Sequence, residues 1–178
     1  MAQATTLTPA SAALPIAHVV LRILIVLNWL MAAAILALLV VLPNEEWIMR
    51  AFKLTPSPEA QRLVAGLRAV AVLGLASVPL NAVILKRLLA MVETVREGDP
   101  FVATNAQRLQ TIAWALLALQ ILSIVIGAIG RSISTPAHPV NLDAGFSING
   151  WLAVLLTFLL AKLFAAGTLM RDDLEGTV

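Results

Sequence analysis

Six side chains in this sequence have the type and setting to do chemistry. His18 and His138 are its two histidines, and Asn28, Asn81, Gln120 and Lys162 interrupt otherwise apolar runs. Two imidazoles on one face could share a metal ion or a haem. His18 lies near one end of the first apolar run and His138 in a loop on the other side of the membrane, so the two cannot ligate one ion. His138 with Asp143 makes only half a ligand set, and a solvated loop accounts for both. Polar residues inside a membrane mark either a substrate or proton path or hydrogen bonds between helices. A path needs several acidic groups within the spans, and none falls there, so Asn28, Asn81 and Gln120 read as hydrogen-bonding glue. Pro79 removes one helical hydrogen bond just before Asn81, whose amide is placed to compensate. Lys162 stands nine residues before Arg171, roughly 13 Å by helical rise, a depth its stem covers in part by snorkelling toward the nearer interface, where an acidic residue of the tail or a carbonyl is its expected partner.

The rest of the composition removes most enzyme classes. The chain has no cysteine, hence no thiolate nucleophile, thiolate metal site or disulfide. It has no glycine-rich phosphate loop and no Ser, His and Asp placed as a triad. No catalytic, cofactor-binding or metal-binding residue is assigned, and a non-enzymatic protein without cofactors is expected. The 178 residues are 60% hydrophobic and 12% charged, with mean hydropathy +0.93, against about 45–50% and 25% in soluble proteins. The net charge of +2 is scattered in short clusters, so nucleic acid is not expected as a partner. The expected surroundings are a lipid bilayer.

Four elements must position these side chains. The apolar runs predict spanning helices over about 16–42, 64–97 (including an extension beyond the bilayer after the apolar run 69–85), 106–130 and 149–170, each long enough to cross a bilayer. All must be helical, because lipid offers unpaired backbone groups no water. This predicts an all-α integral membrane protein, a single four-helix transmembrane domain over 16–170, between a flexible segment 1–15 and an acidic tail 171–178. The amphipathic stretch KRLLAMVETVRE carries the second helix out of the bilayer. An even number of spans puts both termini on one side. Six basic residues on that side (Arg22, Lys86, Arg87, Arg96, Arg108, Arg171) stand against five on the other (Arg50, Lys53, Arg62, Arg68, Arg131), which predicts cytoplasmic termini in a bacterial inner membrane.

The connections carry their own patterns. NEEWIMRAFKL, residues 44–54, fits a short helix lying in the interface with Trp47 at headgroup level. VNLDAGFSI alternates on either side of Asp-Ala-Gly and fits a small outer hairpin, with Gly145 at its left-handed position. On the side of the termini, EGDPFVATNAQRLQ reads as stop and restart. Gly98 caps the second helix, Pro100 forbids its continuation, and Thr104 with Gln107 matches a capping box, with Asn105 a competing cap. Punctuation does not require Phe101, nor Arg108 on a first helical turn, where the dipole disfavours a cation. Both read as docking residues. Ala153, Thr157, Ala161 and Ala165 on the fourth span, and Ser123 with Gly127 on the third, form small-residue stripes suited to close helix packing or to self-association into a homo-oligomer.

The motif EGDPF...N..RL, followed by a fourth span and the ending F..G.LMRDDLEGTV, resembles a bacterial family of small four-helix membrane proteins, domain-of-unknown-function family twenty-nine seventy-five. The resemblance extends from the first span onward, with Gly98 to Leu109 and Phe164 to Val178 carrying most of its specificity. It implies four transmembrane helices, no assigned reaction, and frequent encoding beside small helix-turn-helix regulators. Family members usually carry a charged residue directly after the aromatic of F..G, where this chain has Ala165, so no role is carried over to that position.

The leading expectation is therefore a membrane protein whose cytoplasmic face binds a protein partner. That face would comprise Arg96, Gly98, Pro100, Phe101, Asn105 and Arg108 with the tail residues Arg171, Asp172, Asp173, Leu174 and Glu175. The connection is expected to form a socket for the tail, with complementary charges and an apolar contact between Phe101 and Leu174. A small oligomeric transport or export component is the rival reading, and would show as an aqueous path lined by two or more spans. A self-protection protein that shields the membrane from a toxic peptide is a third.

Overall fold

In a medium without water an open chain satisfies its backbone only as α-helix, and all four apolar runs do so: α1 Pro9–Val41, α2 Pro58–Arg96, α3 Ala103–Ile133 and α4 Ile148–Glu175. The computed structural model describes residues 9–41, 57–136 and 139–175, with side chains over 13–40, 57–136 and 139–170. All four helices are long and apolar enough to cross a membrane. The interfacial helix expected over 44–54, His138, and the side chains of Arg171, Asp172, Asp173, Leu174 and Glu175 lie outside the described residues. The backbone of α4 nevertheless runs on to Glu175, so the first residues of the acidic tail continue the fourth helix.

The ends of α2 follow from local chemistry. The Ser57 hydroxyl accepts the Ala60 N–H at 3.1 Å, Pro58 takes the first helical position and Glu59 sits in the first turn, all three suited to a helix start. At the other end Gly98 adopts φ +90, and the Asp99 N–H reaches back to the Thr94 carbonyl at 3.1 Å, closing the helix as the glycine predicts. The 39 residues between measure about 58 Å, nearly twice the hydrocarbon core. α2 therefore extends beyond the bilayer.

α3 corrects an expectation. Its N-cap is Val102, with no side-chain cap bond, so neither the Thr104/Gln107 box nor an Asn105 cap forms. The helix has already begun at Ala103, and the Asn105 carboxamide is engaged elsewhere.

α1 packs on α2, α2 on α3 and α3 on α4, and no other pair of these helices approaches. The four spans thus form an open row in chain order. The start of α1, the end of α2, the start of α3 and the end of α4 share one end of the molecule, here called the terminal end. Within α1 only Ala32 is buried among the described side chains.

The hairpin expected at the opposite end is not formed: residues 139–147 contain no strand. Their alternation has another partner. A Cβ at Gly127 would collide with the Ala144 backbone, and one at Gly130 with the Leu142 side chain, so the segment lies against the glycines of α3. The Ser123 hydroxyl donates to the Gly145 carbonyl at 3.2 Å and accepts the Gly145 N–H at 3.1 Å. One side chain thus supplies what a second strand would have supplied. Gly145 does take positive φ, +141. The Ser123 and Gly127 stripe therefore receives a loop, where a helix or a second copy was expected.

Candidate interaction face

At the terminal end Asn105 is the most buried large side chain described, 1% exposed. Its Nδ2 donates to the Thr94 hydroxyl at 2.8 Å and to the Pro100 carbonyl at 2.9 Å. Its Oδ1 accepts from Arg108 Nη1 at 2.8 Å, and the same nitrogen donates to the Ala90 carbonyl at 3.1 Å. Thr94 in turn donates to the Met91 carbonyl at 2.8 Å. One buried amide thereby ties the last turns of α2, the connection at Pro100 and the first turns of α3. It also accounts for Arg108. With α3 beginning at Ala103, Arg108 falls in its second turn, clear of the first-turn penalty, and makes charge-assisted hydrogen bonds to the Ala90 carbonyl of α2 and to Asn105.

Phe101 joins α4 to this assembly. Its ring stacks on Phe164, centroids 5.3 Å apart at 29°, and its edge lies 3.5 Å from where a Cβ of Gly167 would be. The two motifs singled out in the sequence therefore meet through Phe101 and Phe164, while the contact expected between Phe101 and Leu174 lies outside the described residues. On α1, the buried His18 Nδ1 has no hydrogen-bond partner and stands 3.8 Å from Glu93 Oε1 on α2. That separation is an ion pair when the imidazole is protonated and too long for a hydrogen bond. All four helices thus meet at this end.

Around this framework Lys86, Arg87, Glu93, Val95, Arg96, Glu97 and Gly98 are exposed, and Phe101 is 49% exposed. Asp99 and Pro100 are half-buried.

The intramembrane polar residues are separate from this face. Asn28 Nδ2 donates to the Val78 carbonyl of α2 at 3.1 Å, on the residue preceding Pro79. Ser77 donates to the Gly74 carbonyl at 2.6 Å, and Asn81 Nδ2 to the Ser77 carbonyl at 3.1 Å, so Asn81 bonds within the proline turn of α2 but not to the Leu75 carbonyl that Pro79 leaves without its helical donor. Gln120 Nε2 donates to the Ser147 carbonyl at 3.2 Å and lies where a Cβ of Gly150 would fall. Lys162 differs from the other three. It is exposed and has no hydrogen-bond or ion-pair partner among the described residues.

Sequence reasoning missed Thr94, Glu93 and the engagement of His18. Thr94 carried no signal, since a hydroxyl in an amphipathic helix reads as solvated. Phe164 and Gly167 were present in the quoted tail motif and needed only to be paired with Phe101. Compared with protein-family models, curated proteins and solved structures, the chain matches none.

Proposed function

We propose that this is a non-enzymatic, multi-pass inner-membrane protein whose terminal end faces the cytoplasm and presents a preorganised surface to a protein partner. The observation that carries the reading is the Asn105 node. It fixes α2, α3 and the connection between them through four hydrogen bonds, while Phe101 holds α4. A face that rigid loses little conformational freedom on binding. The exposed charges beside it are of both signs, Lys86, Arg87 and Arg96 with Glu93 and Glu97, and suit a partner with a complementary charge pattern, such patterns setting specificity and encounter rate. A small helix-turn-helix regulator is the class implied by the family resemblance, and stands by analogy alone. The transport reading has less support, because Asn28, Asn81 and Gln120 are each spent on backbone carbonyls within the row.

The test is purification in mild detergent from native membranes through an amino-terminal tag. A partner should co-purify with the unmodified protein and fall at least fivefold in recovery with the exposed pair Arg87→Glu and Arg96→Glu. Absence of any stoichiometric partner, or recovery insensitive to the charge reversal, would sink this function.

A further inference from the structure

The open row leaves a groove between α3 and α4, of about 340 Å³, that runs inward from Ala103 and Leu169 at the terminal end. Its polar lining is Gln107, Gln110, Lys162 and Thr168. The Lys162 ammonium and the two glutamine amides have no partner among the described residues. A second hollow, about 650 Å³, continues along α4 from Lys162 past Leu159, Leu155 and Trp151 to Phe146. Phe158 and Lys162 line both. Together they make one course, polar at the terminal end and apolar from there toward the membrane centre and beyond. The apolar part from Lys162 to Ile148 is about 21 Å long by helical rise, over half the roughly 30 Å core.

We propose that this course is a binding site for an anionic phospholipid. The phosphate would sit against Lys162 and the glutamine amides and one acyl chain would lie on the apolar face of α4. An ammonium at this depth requires an anion or a route to water, and basic pockets between transmembrane helices are suited to acidic headgroups. Within the spans the sequence offers no counter-charge. α1, α3, α4 up to Met170 and α2 between Leu67 and Val92 contain no Asp or Glu, and Asp172, the nearest acid along α4, is ten residues on, about 15 Å away along the axis. A second copy of the chain faces the same shortage at that depth, which favours lipid over self-association as the occupant.

The measurement is native mass spectrometry of the full chain released from detergent with equal amounts of palmitoyl-oleoyl phosphatidylglycerol and palmitoyl-oleoyl phosphatidylcholine. At least a fivefold preference for the phosphatidylglycerol is expected. Lys162→Gln should reduce it below twofold, Lys162→Arg should retain it, and Lys86→Gln with Arg87→Gln should leave it unchanged. Gln110→Leu, which keeps the lysine, should weaken it at least twofold and gives a second test if Lys162→Gln folds poorly. Equal retention of the two lipids, or a preference that survives Lys162→Gln in folded protein, would overturn the site. Displacement by glycerol 3-phosphate at the same concentration as the lipid would also overturn it, by making the ligand a soluble anion. A dimer that forms only without lipid and is lost on Lys162→Gln would instead assign the groove to a second copy.

Discussion

Asn105 and Thr104 are neighbours with opposite expected consequences. Asn105→Ala removes the group that satisfies Thr94, Pro100 and Arg108 at once. Leaving buried donors and acceptors unpaired costs about 1–3 kcal/mol, so the thermal midpoint in detergent should fall clearly. Thr104 is exposed and caps nothing, so Thr104→Ala should stay within about 0.5 kcal/mol of the parent. Equal losses from the two would mean that the capping box exists after all. The sequence drew attention to both residues through the same pattern. A capping box and a buried amide node call for the same residue types at nearly the same spacing, and only the position of the α2 end selects between them.

At the scale of elements, helix pairs in a membrane gain little from escaping water, and close packing takes over that role. Gly66 on α2 is the sharpest case, since a Cβ there would fall on the Ile133 side chain of α3. Gly66→Ala should cost about 1–3 kcal/mol by overpacking. Ile133→Ala added to it should recover part of the loss, and a double-mutant cycle in detergent unfolding should return a coupling above about 0.5 kcal/mol. Additive losses would show that the two helices are not in register as described. Much at this scale was legible. Four helices, the Gly98 stop and the extension of α2 beyond the bilayer all follow from composition and periodicity. The early start of α2 was also written in Ser57, Pro58 and Glu59, a cap, a first-turn proline and an acid that an apolar-run search passes over. The loop at 139–147 was not legible. Period-two alternation says that a segment touches something on each side, but not whether the partner is a strand or the small residues of a neighbouring helix.

For the whole molecule, four spans and a small excess of basic residues on the side of the termini predict that both termini are cytoplasmic. Paired reporter fusions check it: a phosphatase active only outside the cytoplasm should be silent at either terminus and active when inserted in the 42–56 connection. An active phosphatase at the carboxyl terminus would invert every assignment of side, while leaving the Asn105 node and the α3–α4 groove as they are. The order of the row has a further consequence, for how the molecule is made. Among the described residues each helix touches only the one before it and the one after it, so none of these helix contacts waits for the last helix to return to the first. Each span can dock on its predecessor as soon as it enters the bilayer. The α1–α2 hairpin is complete before α3 exists, and α4 arrives last, beside α3, with its other flank open to the surrounding lipid.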